Sequence, residues 1–222
     1  MHMKPTGLKT ILLDDAHMLK GARSLSRVCP HMRKVHSITG VPSVRRHATG
    51  FEGIARIVVG QQLSLASAEA IWKRLQVAVK PMSAEGFLAL SDEELRAAGL
   101  SKGKVRTLRA LSETIVGGLD FKSLKDAHET DVHAALTALP GIGPWTADIY
   151  LLFCLGRADA FAAGDLALQI AAQSALGLER RPSREELFDI AERWRPWRGV
   201  AAHLLWAYYK SATFIASKPK KA

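Results

Sequence analysis

Cysteine is scarce: Cys29 and Cys154 are the only two. That is too few for a disulfide framework, a four-cysteine zinc site or an iron–sulfur cluster. Cys154 sits in the apolar run from Tyr150 to Leu155 and reads as a core thiol. Long apolar runs are missing as well. None approaches the roughly 20 residues that cross a bilayer, and no signal-peptide pattern opens the sequence. The expectation is a soluble, cytoplasmic protein, nucleoid-associated in a bacterium, with no membrane partner. Strand-like alternation and internal repeats are absent too. Acidic residues are outnumbered, 21 against 31 Lys and Arg, which leaves a formal charge of +10. Such an excess points to an anionic partner. Nucleic acid is the usual one, an acidic membrane surface is the competitor, and a merely solubilising charge is the plain alternative. At 222 residues the chain can bury a core in one domain or two small ones.

What the sequence does have is helical punctuation. A helix is predicted from about Asp15 to Val28, closed before Pro30, and the basic segment Arg33 to His47 reads as a loop feeding the next helix. Thr49 followed by Glu52 has the form of a capping box, ahead of Phe51, Ile54, Ile57 and Val58 at helical spacing. That helix halts at Gly60-Gln61-Gln62-Leu63-Ser64. Ser64 can cap the next, whose core face is Ala68, Ile71, Trp72 and Leu75. Ser91 with Glu94 forms a second capping box. Lys102 and Lys104 precede the apolar face Val105, Leu108, Leu111 and Ile115, at a loop–helix junction that suits either DNA contact or simple solvation. Gly117-Gly118 ends that helix. Further helices are predicted over Leu166 to Leu178, from Pro182-Ser183 toward Trp194, and from Val200 to about Ala216. The fold class is all-α.

One stretch organises the rest: Leu139-Pro140-Gly141-Ile142-Gly143-Pro144-Trp145-Thr146-Ala147. Val132, Leu136 and Leu139 share one face of the helix before it. Pro140 cannot continue that helix, Gly141 and Gly143 allow positive φ and leave the backbone bare, and Ile142 pegs the turn to a core. Pro144 suits the first turn of a new helix. The product is helix, tight turn, helix, with amides at the second N-terminus that attract anions. Downstream lies Gly164-Asp165. A lone Asp after Gly serves equally well as a helix N-cap, and capping and chemistry can coincide.

Taken together, Val59-Gly60-Gln61-Gln62-Leu63-Ser64, Leu139 to Ala147, Gly164-Asp165 and Trp194-Arg195-Pro196-Trp197-Arg198 resemble the helix-hairpin-helix DNA glycosylases. The likeness is to their 3-methyladenine DNA glycosylase II branch, in its compact form without the N-terminal β-rich domain, over about residues 50 to 210. The resemblance implies two helical subdomains with the active-site cleft between them. Residues 1–49 would pack with the C-terminal helices, 50–163 would carry the helix-hairpin-helix, 164–216 would form the C-terminal part, and 217–222 a basic tail. It further implies a monomer acting on double-stranded DNA with alkylated bases, as a monofunctional N-glycosylase.

The resemblance also assigns residues. Asp165 would be the catalytic carboxylate, stabilising positive charge that builds on the sugar and orienting or deprotonating water. Trp145 stands where strand-cleaving relatives place a nucleophilic lysine, so no amine is offered there for a Schiff base. Trp145 and Trp206 would face a flipped, cationic purine, while Trp72, Trp194 and Trp197 are assigned to packing. Ile149 and Leu166 would complete the base pocket, in place of tyrosines. Gln62 matches the side chain that fills the gap left by the extruded nucleotide. Gly141, Gly143 and Thr146 would donate backbone N–H groups to phosphate. No cofactor is required, and the carbonyls of Thr137, Leu139 and Ile142 would be the ligands of a structural monovalent cation. Two alternatives stand beside this reading: a non-catalytic helix-hairpin-helix DNA-binding module, and a glycosylase for other damaged bases.

Overall fold

A computed structural model describes residues 13–211 and Phe214 of the chain. The basic tail at 217–222, and the last predicted helix toward Ala216, fall outside the described residues apart from Phe214. In chain order the described residues form α1 (Asp15–Val28), α2 (Pro30–Thr39), α3 (Gly50–Gly60), α4 (Leu65–Ala78), α5 (Ala84–Leu88), α6 (Asp92–Ala97) and α7 (Lys102–Val116). There follow α8 (Phe121–Asp126), α9 (Glu129–Thr137), α10 (Pro144–Ile149), α11 (Leu166–Leu176), α12 (Arg184–Glu192) and α13 (Arg198–Tyr209). A π-helical turn, Tyr150–Cys154, extends α10. No β-strand occurs among the described residues, so the fold is all-α.

The chain divides into two compact units. Among the described residues the first comprises 13–45 and 156–211 with Phe214, the second 46–155. In the first, α13 is the central helix and packs against α1, α2 and α11. Val200, Ala201, Ala202, Leu204 and Leu205 are all fully buried, and the alanines let neighbouring helices approach closely. On α1 a Cβ at Gly21 would lie 2.7 Å from Val200 Cγ2, so only glycine fits that crossing. The start of α13 is anchored by Arg198. Its guanidinium reaches Asp159 Oδ1 at 3.0 Å and Glu192 Oε1 at 2.7 Å. Trp194 and Trp197 are buried as assigned.

In the second unit α3 is the central element, against α4, α7 and α10. Phe51, Ile54, Ile57 and Val58 are buried on it, as their spacing predicts. Ser64 caps α4 by accepting Ser67 N–H at 3.1 Å, and Ser91 and Glu94 form the expected capping box on α6. Trp72 and Cys154 are core residues, and burial pushes the Cys154 thiol up to about 12, which closes it as a nucleophile.

Two local expectations fail. Thr49 makes no side-chain capping bond; the Gly50 N–H is taken instead by the Tyr150 hydroxyl at 3.0 Å, a partner one hundred residues away that no local pattern reveals. The Arg33 to His47 segment is helix as far as Thr39, where a loop was expected, and loop from Gly40 onward. Pro30 sits at the first position of α2, where it starts a helix rather than only ending one. Met32 and Val35 are buried on its inner face, and the basic residues occupy its outer one.

Candidate active site

In the first unit the chain turns sharply before α11. Asp165 N–H donates to the Ala162 carbonyl at 2.8 Å, and Gln169 Nε2 reaches back to the Ala163 carbonyl at 3.0 Å. Asp165 is thereby placed as the N-cap of α11, with extended backbone, and its Oδ1 accepts the Leu168 N–H at 3.0 Å. The same oxygen accepts the Trp206 indole N–H at 3.1 Å, from the adjacent α13. Two residues 41 apart in sequence, both picked out by motif alone, are in direct contact. Capping is therefore observed, and the carboxylate is held in one orientation by two donors on a single oxygen.

Trp206 also lines a cavity of about 130 Å³, together with Pro42, Ser43, Arg45, His203 and Ala207. His203 is 4% exposed, its ring edge-on to Trp206 with centroids 6.0 Å apart. His203 Nδ1 lies 2.8 Å from the Gly199 carbonyl, which can only accept, so the ring proton belongs on Nδ1. Burial pushes this imidazole down to about 4; the Gly199 bond opposes that shift and the Arg45 charge adds to it. The imidazole beside Trp206 is accordingly neutral at physiological pH, and the charge on this cavity's wall comes from Arg45. Leu166 follows Asp165 directly and is 54% exposed.

A second carboxylate six residues upstream is a poor candidate for chemistry. Asp159 is engaged by Arg198 and by Arg195 at once, so it serves the anchoring of α13.

In the second unit the hairpin has the predicted form. The Leu139 carbonyl accepts Ile142 N–H at 3.1 Å, and Gly141 adopts φ +79°. A Cβ at Gly141 would lie 2.0 Å from Thr107 Oγ1. Gly143, by contrast, has ordinary extended backbone and open space where a Cβ would go, so it is exposed for approach rather than required by the turn. Thr146 is 1% exposed, its N–H meets the Gly143 carbonyl at 3.0 Å, and its hydroxyl accepts Gln61 Nε2 at 3.0 Å, so it ties two segments together. Trp145 is half-buried on α10, and Ile149, one turn later on the same face, is 6% exposed. Gln62 is exposed, between α3 and α4, with φ +57°.

No group of three His, Cys, Asp or Glu side chains able to hold a metal ion occurs among the described residues. Of the three carbonyls expected to hold a monovalent cation, that of Leu139 accepts the Ile142 N–H within the turn. No helix among the described residues is long and apolar enough to cross a membrane.

Sequence reasoning missed His203 and took Arg45 only as part of the basic Arg33 to His47 segment. His203 precedes Trp206 by three on α13, so helical spacing alone places it on the Trp206 face. Arg45 comes from the extended segment after α2 and carries no such signal.

Comparison with known proteins follows the same lines. Residues 55–196 match the HhH-GPD superfamily of base excision DNA repair proteins. A probable bifunctional transcriptional activator/DNA repair enzyme of Mycobacterium tuberculosis is 44% identical over 108 residues, which is 47% of this chain and 20% of that protein. The chain thus spans about a fifth of that relative's length. Among solved structures, the 3-methyladenine DNA glycosylase of Schizosaccharomyces pombe in complex with abasic DNA has a TM-score of 0.82 at 26% identity, over 87% of this chain and 98% of that one. The DNA-3-methyladenine glycosidase of Bacillus halodurans has a TM-score of 0.74 at 31% identity, over 95% of each chain.

Proposed function

Given that the chain belongs to the HhH-GPD superfamily of base excision DNA repair proteins, we propose that it is a monofunctional DNA glycosylase. It hydrolyses the N-glycosidic bond of alkylated purines, of the 3-methyladenine type, in double-stranded DNA. The observation that carries this reading is the Asp165 carboxylate fixed by the Trp206 indole and the Leu168 N–H, with Trp206 lining a cavity. A binding module needs neither the carboxylate nor its orientation.

In the reaction the C1′–N bond breaks and its electron pair leaves with the base. An alkylated purine already carries positive charge, so it departs neutral without a general acid. Charge builds on the sugar instead, where a preorganised carboxylate is most effective. A water oxygen then bonds to C1′ and gives up its proton, to Asp165 or to solvent. Trp206, bonded to Asp165, presents its face to the flipped base. Gln62 fills the vacated stack. Gly141 and Gly143 present main-chain N–H groups to phosphate, and the carbonyls of Thr137, Leu139 and Ile142 would hold a monovalent cation. The protein acts as a cytoplasmic monomer and needs no cofactor for the chemistry.

Arg45 favours a second substrate class. A guanidinium lining the cavity opposes a cationic base and can donate to a carbonyl edge, so neutral 6-oxopurine lesions are the alternative. One assay separates the possibilities. DNA treated with a methylating agent, and DNA containing hypoxanthine, are incubated with the protein and free bases are resolved by chromatography. Release of 3-methyladenine is the expected result. Release of hypoxanthine alone supports the second class, and release of no base refutes the glycosylase reading.

A further inference from the structure

The last carbonyls of a helix have no partner within it, and at the end of α3 each is accounted for. Val58 accepts the Gln61 N–H at 3.2 Å and Gly60 accepts the Leu63 N–H at 3.3 Å. The carbonyls of Val59 and Gln61 both receive the ammonium of Lys104, at 2.7 and 2.9 Å. Lys104 lies in the first turn of α7, half-buried, and burial lowers its pKa. A cation at a helix C-terminus is favourable in itself. This one also spans the bend, because a single ammonium has the several donors needed to bond carbonyls two residues apart. From the other side, the Gln61 amide is fastened to Thr146 on α10.

Between these ties stands Gln62, the one non-glycine residue with positive φ among the described residues. Glycine or asparagine takes that conformation at less cost. A long side chain kept there, exposed, is there for its side chain, and a strained backbone persists only where its surroundings over-determine it. The lysine at the loop–helix junction therefore has a use other than DNA contact or solvation.

We infer that Lys104 and Gln61 are positioning residues: they hold the Gln61–Leu63 bend raised before DNA arrives and lock it to the hairpin. The inference rests on the reading of Gln62 as the side chain that enters the duplex. With the bend already ordered, insertion of Gln62 costs little further conformational freedom, and phosphate grip and base extrusion become one mechanical unit.

Two measurements on Lys104→Met test it. Amide hydrogen exchange in the free protein should quicken at Gln61 and Leu63, while amides in α13 keep their wild-type protection. Unchanged exchange at the bend would overturn the inference. Single-turnover base release should fall about ten- to hundredfold for a lesion in a matched duplex, the scale of a lost charge-assisted hydrogen bond. For the same lesion in a one-nucleotide bulge, already unstacked, it should stay within about threefold of wild type. Equal losses on the two substrates would overturn the positioning role. Quickened exchange with unchanged release on both would leave the bend-holding role standing and remove Gln62 from base extrusion. Gln61→Met, which loses only the Thr146 tie, should show the same pattern more weakly and covers the case in which Lys104→Met does not fold.

Discussion

Asparagine at position 165 would keep the shape of the side chain and remove its charge. An amide oxygen still accepts from Leu168 N–H and from the Trp206 indole, and asparagine is as good an N-cap as aspartate. Folding stability of Asp165→Asn should therefore stay within about 0.5 kcal/mol of wild type, the usual range for a substitution that breaks no buried feature. Base release should fall by about 10²–10³-fold, the typical loss when a preorganised electrostatic group is removed. Single-turnover release beside a urea midpoint measures both. Near-normal release would take Asp165 out of the mechanism. His203 gives a second residue-scale expectation, in pH. Its folded-state value is depressed to about 4 from an ordinary 6.5, so the folded protein resists protonation that the unfolded chain accepts. Its contribution to stability is complete above about pH 6.5 and is lost as pH falls from there through 4. The limiting slope is one proton, about 1.4 kcal/mol per pH unit. His203→Gln should flatten the stability curve in that window. Because the carboxylates titrate alike in both proteins, the difference between the two curves isolates the imidazole.

Among the elements, the hairpin offers a contrast within three residues. Gly141 has a left-handed φ, and a Cβ there would strike Thr107; Gly143 has neither constraint. Gly141→Ala should thus destabilise the fold by about 1–3 kcal/mol, the scale of a non-glycine residue in a sparse backbone region, with more from the clash. Gly143→Asp should fold normally and weaken binding to every DNA sequence alike, because a phosphate contact positions without specifying. Urea denaturation with fluorescence anisotropy on damaged and undamaged duplexes separates the two. Loss confined to one lesion would argue against a backbone clamp. The sequence showed this element because its cues are local: Pro and Gly at fixed offsets, an apolar peg between them. Ser64 and Ser91 were legible for the same reason. The start of α3 at Thr49 was legible too, but not the bond that Gly50 makes to Tyr150, and α2 was missed because its opening Pro30 reads equally as a stop. Asp165 and Trp206 were each legible through the family resemblance, but their contact was not. His203 stands one helical turn before Trp206 and was there to be read, whereas the place of Arg45 in the cavity wall depends on packing that no spacing encodes.

Whether the reaction ends at hydrolysis is a property of the whole molecule, because any amine that reached the sugar would open a lyase path. The chain is rich in cations, with a formal charge of +10, so the question is which of them is both nucleophilic and near. The hairpin offers Trp145 in place of a lysine. Lys104 is held by two carbonyls at the end of α3. The strongest rival is Lys210, at the C-cap of α13 and one turn beyond Trp206, where partial desolvation and the Arg45 charge lower its pKa. A lowered pKa raises the fraction of free amine, and a Schiff base requires the free amine. Yet the same Arg45 that depresses Lys210 also lines the Trp206 cavity, where it is better placed than Lys210 to meet the substrate. The wild-type protein should therefore leave intact abasic strands that break only on later alkali treatment. Borohydride, which reduces a Schiff base to a permanent link, should trap no covalent complex, and Lys210→Arg should release base at the wild-type rate. A trapped complex that disappears in Lys210→Arg would overturn the monofunctional assignment and move the nucleophile from the hairpin unit to α13.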